Sequence, residues 1–310
     1  MISDLFTVTV LIGILSSGIR LATPYLYAAI GETFSQRSGV LNLGVEGQML
    51  LGAFAAFYVS LTTGNLWLGM LAAVLVGAVM GLAMAYVTVN LQAEQGISGI
   101  GFYLFGLGMS DLLFQKLMAT VETLRGFPKI YIPGLSDIPG IGEIFFSHNI
   151  LVYIAFLLVP IAWFVLNKTT LGLKICSVGE NPEAADSLGV NVARIRYFTI
   201  TLGGILSGVA GASLSIGLLN VFQQNMTSGS GFIAVALVYF GAWRPVGVLG
   251  GALLFSMINS LQLWIQVKSV PIPSELAVMM PYVLTILVLV ATVSRVRAPS
   301  ALTKPFEREN

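Results

Sequence analysis

The sequence predicts an all-α protein built as a bundle of membrane-spanning helices. Only 9% of the 310 residues are charged, whereas a typical soluble domain carries about 25%. The hydrophobic residues make up 56% of the chain and cluster into runs long enough to cross a bilayer, at roughly 20 residues per helix. Because so few charges cannot cover a water-facing surface, we expect lipid to surround most of the protein.

Apolar runs of spanning length predict about nine transmembrane helices within a single domain, residues 1–310. They lie at roughly 5–31, 40–62, 66–90, 97–119, 149–166, 197–217, 229–242, 246–266 and 276–293. The chain starts without a basic segment or a clear cleavage site, so we expect a first transmembrane helix rather than a signal peptide. Pro24 is a candidate break in the first run, and the short, glycine-containing seventh run is typical of a partial crossing.

Lysine and arginine residues in the loops predict the orientation. Ten of them lie on the side of residues 167–196 and three on the opposite side; the other two of the 15, Arg20 and Lys116, fall within spans. We therefore expect an external N-terminus and a cytoplasmic C-terminus, with a main external loop at 120–148 and a main cytoplasmic loop at 167–196. The external loop should be ordered by turns and is a candidate docking surface. The cytoplasmic tail, 294–310, is short and polar, and we expect it to be mobile.

The cytoplasmic loop contains the signals of a short helix bounded at both ends. Asn181 is a good N-cap, Pro182 suits the first helical position, and Glu183 complements the positive end of the helix dipole. Gly189 is a natural residue just beyond the C-terminal end. Asn191 then caps the next transmembrane helix, which we expect two arginines, at 194 and 196, to anchor at the inner interface.

The small side chains of Ala184 and Ala185 let this helix approach another protein closely, which suits insertion into a groove. The alternative is an ordered loop that lies on the membrane. Both interpretations are open on physical grounds alone, although long capped loops are usually functional.

The loop also resembles a known motif. Glu183-Ala184-Ala185-x3-Gly189 resembles the EAA-type loop of ABC importer permeases, and the run Val178-Gly-Glu-Asn-Pro-Glu-Ala-Ala is similar to permeases of the ribose and nucleoside branch. The Leu-Pro that often follows in the maltose-type branch is missing here. The resemblance implies a coupling helix that docks onto a cytoplasmic ATPase subunit. Its residues would be Glu180, Asn181, Pro182, Glu183, Ala184, Ala185 and Gly189.

Polar residues intrude near the start of the second run. Asn42 and Glu46 are four apart, which predicts a shared helix face, and Gln48 lies close by. An ionised group at membrane depth costs about 2.5 kcal/mol or more, so Glu46 must face protein, water or a partner. These residues either line the substrate path or brace neighbouring helices. Asp111, in the middle of the fourth span, is a further path candidate, and Arg20 is a candidate ion partner for either acid.

The run from Ser38 to Met49, Ser-Gly-Val-Leu-Asn-Leu-Gly-Val-Glu-Gly-Gln-Met, resembles the signature of nucleoside and simple-sugar permeases, and also of riboflavin permeases. With the cytoplasmic loop, the resemblance covers essentially the whole chain. It implies a multi-pass permease subunit in a bacterial inner membrane. The implied partners are cytoplasmic ATPase subunits, a second and related permease subunit, and an external substrate-binding protein. We expect nucleosides or purines as substrate, with simple sugars and riboflavin as alternatives.

Several functions are disfavoured by what the sequence lacks. No Gly-x4-Gly-Lys-Ser/Thr run occurs, so ATP is expected on the partner subunit, and we expect no cofactor on this chain. One histidine, His148, and one cysteine, Cys176, cannot form a zinc site, and no hydrolase elbow is present. The net charge of +1 gives no argument for nucleic acid binding. Two alternatives stay open: an ion-coupled secondary transporter that uses Glu46 and Asp111 as relays, and a regulatory membrane protein without transport.

Overall fold

The computed structural model describes residues 7–267, 273–292 and 297–307, and these residues are helical apart from connecting turns and two isolated β-bridges. Seven helices among them are long and apolar enough to cross a membrane. These are α1 (Val8–Arg37), α2 (Val45–Thr63), α3 with its π-helical end (Leu66–Asn90), α4 (Gln95–Leu117), α6 (Ile150–Lys168), α9 with its π-helical end (Val192–Leu219) and α11 (Pro245–Val267). The remaining helices are α5 (Ile141–Phe145), α7 (Thr170–Glu180), α8 (Pro182–Ser187), α10 (Ser230–Phe240) and α12 (Ser274–Thr292).

The seven spans coincide with seven of the nine predicted runs, so the count of nine is not confirmed. The predicted run at 229–242 corresponds to α10, whose 11 residues rise only about 16 Å and cannot cross a hydrocarbon core of about 30 Å. The last predicted run corresponds to α12, and its final residue lies outside the described part of the chain. Pro24 was a candidate break in the first run, but α1 continues through it. The proline is buried among neighbouring helices, where a proline inside a membrane helix is tolerated.

Close helix contacts made through glycine hold the centre of the bundle together. A methyl group added at Gly77 of α3 would collide with the carbonyl oxygen of Gly204 in α9. One added at Gly208 would collide with the carbonyl oxygen of Ala73. Glycines four residues apart, such as Gly77 and Gly81, therefore let the helix backbones touch, as is common in membrane bundles.

The C-terminal tail is bound to the protein over the residues described, 297–307, and the expectation of a mobile tail is wrong there. The backbone N–H of Ala301 donates to the carbonyl of Gly179 at 2.9 Å. The N–H of Thr303 donates to the carbonyl of Gly39 at 3.2 Å. Phe306 packs against a small apolar cluster that includes Ala185. The polar composition of the tail suggested that it is free. Hydrogen bonds from its backbone N–H groups and the packing of Phe306 attach it to the bundle instead.

The predicted external loop, 120–148, is ordered by turns and by the short helix α5. The N–H of Ile130 donates to the carbonyl of His148 at 2.8 Å, which joins the middle of the loop to its C-terminal end. The Tyr131 hydroxyl donates to the Asp137 carboxylate. This hydrogen bond lowers the pKa of Asp137 and raises the pKa of Tyr131.

Candidate functional site

The short helix α8 has the caps that the sequence predicts. The Asn181 side-chain oxygen accepts a hydrogen bond from the N–H of Ala184 at 3.0 Å, and Pro182 occupies the first helical position. Gly189 follows the helix with a φ of +83°, a left-handed conformation that favours glycine. An asparagine cap at the start and a glycine after the end therefore fix a helix of fewer than two turns.

Only one of the two alanines of α8 is exposed, which differs from the expectation that both approach a partner. Ala185 is buried in the cluster with Val178 and Val192 and attaches the helix to the protein. Ala184 is exposed, and Leu188 next to the helix is 84% exposed. The outward face therefore presents Ala184, Glu183 and Leu188 to whatever lies beyond.

The tail and the buried Arg196 connect the end of α7, just before α8, with the core. Ser300 donates its hydroxyl to the Glu180 carboxylate at 3.1 Å. Arg196 is only 2% exposed and donates to the carbonyls of Ser38 at 3.3 Å and Lys304 at 3.2 Å. The prediction that Arg196 anchors the helix at the interface is wrong, because its guanidinium turns inward to carbonyls that need a donor. Arg194 is exposed.

Glu46 lies in the first turn of α2 and is almost completely buried, at 1% exposure. Its carboxylate accepts three hydrogen bonds: from the Thr227 hydroxyl at 2.5 Å and from the backbone N–H groups of Gly229 at 2.7 Å and Gly231 at 2.5 Å. The donors surround the start of α10, where the helix dipole favours a negative charge. Of the two interpretations of Glu46, these contacts favour the one in which it braces helices.

Asn42 does not lie on the α2 face with Glu46, as its spacing suggested, because the helix begins only at Val45. Instead, its side-chain oxygen accepts from the N–H of Gly44 at 3.0 Å and holds a turn before the helix. Its side-chain nitrogen donates to Gln48 at 3.2 Å. The turn chemistry of asparagine wins over helix extension here.

Glu32 and Gln36 of α1 complete this buried network, and sequence reasoning missed both. The backbone N–H of Asn42 donates to the Glu32 carboxylate at 3.0 Å, and the Gln36 side chain donates to it at 2.9 Å. The Trp243 indole N–H donates to Gln36 at 2.7 Å. An acid and an amide four residues apart were a usable signal, but the first span was predicted to end at residue 31, which placed both in a loop.

Asp111 is not joined to this network by any hydrogen bond within the described residues. It is partly buried in α4, and its Oδ1 atom has no partner there. Arg20 donates to Ser17 at 3.2 Å, while Glu46 is occupied by the start of α10, so the suggested pairing of Arg20 with Glu46 is not found. The structure therefore brings Asn42 and Gln48 together, places Glu46 beside them, and leaves Asp111 apart.

Seven apolar spans, packed around a buried polar network, define a multi-pass integral membrane protein. The chain belongs to the family described as branched-chain amino acid transport system, permease component, whose family model matches residues 14–289.

Three relatives indicate which kind of permease within this family the chain resembles. A putative glucose ABC transporter permease protein, TsgC13 of Haloferax volcanii, is 38% identical over 96% of this chain and 98% of its own. The guanosine ABC transporter permease protein NupQ of Bacillus subtilis is 38% identical over 92% of this chain and 93% of its own. The nucleoside ABC transporter permease protein NupC of Lactococcus lactis is 37% identical, over 90% and 92%. No solved structure matches this chain. The protein is thus an ABC permease of the nucleoside and sugar importer type.

Proposed function

We propose that this permease imports nucleosides and that cytoplasmic ATPase subunits drive it through α8. The observation that carries the coupling role is the geometry of α8: it is capped by Asn181, attached through Ala185, and exposes Leu188 at its end. The family implies separate ATPase and substrate-binding subunits. The relatives named for guanosine and for nucleosides support the substrate, and the relative named for glucose keeps simple sugars as the second candidate.

The contacts of the tail supply a route from α8 to the membrane core. When the ATPase moves α8, Glu180 carries Ser300, and the adjacent Gly179 carries Ala301. The tail is bonded in turn to Arg196, which holds the carbonyl of Ser38. That residue begins the turn that leads to Asn42. A movement of α8 can therefore reach the polar network through a chain of hydrogen bonds.

In this proposal Asn42, Glu46 and Gln48 shape the substrate path without all touching the substrate. Glu46 holds the start of α10 in place, and Asn42 fixes the turn at the start of α2. Asp111 lies on α4, and its Oδ1 atom lacks a partner among the described residues. In the proposal it faces either the substrate path or the second, related permease subunit. An ion-relay role for Glu46 is disfavoured because three donors already occupy its carboxylate.

The proposed topology has the N-terminus outside and the C-terminus in the cytoplasm. The segment from 220 to 240, an irregular stretch followed by the half-length α10, counts as one crossing. Arg37, Lys168 and Arg244 then lie on the same side as α8 and the tail, in agreement with the positive-inside rule. The external loop would face the binding protein.

The test is uptake by the complete transporter in proteoliposomes, with the permease pair, the ATPase and the binding protein. We expect ATP-dependent uptake of guanosine or uridine. Uptake of glucose or riboflavin without any nucleoside would overturn the proposed substrate. Absence of all uptake from a complex that hydrolyses ATP would instead favour a regulatory protein.

A further inference from the structure

A cavity of about 250 Å³ lies between α1, α10, α11 and α12, away from the coupling helix. Its lining residues on α1 and α11, such as Pro24 and Phe255, are near the middle of those helices. The cavity is therefore near mid-membrane depth, where transporters commonly bind their substrates. Its volume is slightly below the roughly 300 Å³ at which small-molecule pockets usually begin, so it accommodates a single ring system.

Aromatic side chains form one side of the cavity. Tyr25 and Phe255 meet edge to face with ring centroids 5.2 Å apart, and Tyr282 lies next to Phe255 at 6.5 Å. All three line the cavity. Aromatic faces of this kind stack on the flat ring of a base with little preference for its identity.

Two amide side chains, Asn259 and Gln262, line the same cavity from α11. Gln262 is only 8% exposed and Asn259 is partly buried, and the structure shows no side-chain hydrogen bond from either amide to another described residue. Neither amide is among the fully buried side-chain atoms that lack a partner, so their polar atoms reach the open space of the cavity, where a ligand or water can bond to them. An amide offers a donor and an acceptor side by side, which matches the edge of a nucleobase.

Another wall of the cavity is held in place by Glu46. Thr227 and Ser230 line the cavity. They belong to the stretch from which the Glu46 carboxylate accepts its hydrogen bonds. Irregular backbone at membrane depth is tolerated where it is buried in protein or lines a cavity, and the stretch from 227 to 230 does so here. Glu46 thus positions this wall, on which the Thr227 oxygen is left as an acceptor and Ser228 and Ser230 add hydroxyl groups suited to the ribose.

We propose that this cavity binds the base of a nucleoside during its passage, with Gln262 and Asn259 reading the polar edge and Tyr25 contacting the flat face. The inference rests on the proposed function, since a nucleoside must be the substrate. It goes further by assigning the place and the residues of contact.

The test compares Gln262→Leu with Gln266→Leu in the reconstituted transporter, using radiolabelled guanosine and uridine at saturating binding protein. Gln266 is the matched control because it lies one turn further along α11, is exposed, and does not line the cavity. Loss of hydrogen bonds to the base should lower the maximal uptake rate about tenfold in Gln262→Leu, while ATP hydrolysis without substrate is unchanged. Gln266→Leu should transport as the wild type does.

Equal uptake by the two variants would overturn the cavity assignment while leaving the proposed function intact. A wild-type transporter that takes up glucose and no nucleoside would overturn both, and the wild-type measurement alone reveals that. If Gln262→Leu does not assemble with the ATPase, Asn259→Leu at a partly buried position replaces it. Unchanged uptake in Asn259→Leu would then refute the assignment.

Discussion

Replacing Glu46 with glutamine tests the bracing role of the carboxylate at nearly constant side-chain volume. The amide oxygen that Glu46→Gln introduces could still accept from Thr227 and Gly229, which share one carboxylate oxygen in the native protein. The new NH2 group would then face the N–H of Gly231, which now donates to the other oxygen. Two donors would meet, and the charge at the start of α10 would be lost.

The structure allows the size of the effect to be worked out. Losing one hydrogen bond to a charged group costs about 1.5–3 kcal/mol. Losing the interaction with the helix dipole adds about 0.3–2 kcal/mol. Hydrogen bonds in membrane bundles are often worth less than this, so we expect a total of about 2–3 kcal/mol. Glu46→Ala leaves all three donors unpaired and should cost more than Glu46→Gln.

The assay is thermal unfolding of the purified complex in detergent, followed by uptake at a temperature where the variant is folded. Glu94→Gln is the matched control, because Glu94 also accepts two backbone N–H groups at a helix start but is exposed to solvent. We expect a clear fall in the unfolding midpoint for Glu46→Gln and little change for Glu94→Gln. Wild-type stability in Glu46→Gln would refute the bracing account.

Three further predictions address the coupling helix, the tail and the external loop. Glu183→Lys should uncouple ATP hydrolysis from uptake while the chain still inserts, whereas Glu307→Lys on the exposed tail should not. Arg196→Lys should lower the unfolding midpoint by the equivalent of about 1–3 kcal/mol, because one ammonium cannot replace the two-sided contact of a guanidinium. Burial lowers the pKa of His148 below its usual 6.5, so its contribution to stability is complete above that pH and declines as the pH falls through the lower folded value. The unfolding midpoint measured against pH should show this decline, and His148→Gln should remove it.

Each of these has a contradicting outcome. Coupled uptake in Glu183→Lys at the wild-type rate would remove α8 from the mechanism. An unchanged midpoint in Arg196→Lys would mean that the buried guanidinium contributes little. The same acid sensitivity in His148→Gln as in the wild type would show that another group titrates.

The sequence was sufficient for the spans and for α8, because hydrophobic length and helix caps are local signals. Asn181, Pro182 and Gly189 specify that helix without reference to the rest of the chain. Contacts between distant segments could not be predicted in this way. Glu46 accepts from Gly231 at the start of α10, which is 185 residues further along the chain. This contact depends on how the helices pack.

Two errors had the same physical origin. Arg196 and the tail were judged by polarity, which predicts exposure to water or headgroups. In the structure, backbone carbonyls at 38, 179 and 304 need donors, and Arg196 and Ala301 supply them. The local sequence does not reveal that these carbonyls lack donors, because they come together only when the ends of α1 and α7 meet the tail.

The most direct test of the account is nucleoside uptake by proteoliposomes that contain the permease with or without its ATPase. With the ATPase, ATP and binding protein present, guanosine should accumulate, and a deletion across 182–188 should abolish accumulation while ATP hydrolysis continues. Without the ATPase, neither a proton nor a sodium gradient should drive uptake. Gradient-driven accumulation in its absence would contradict the central claim that α8 couples ATP hydrolysis to transport.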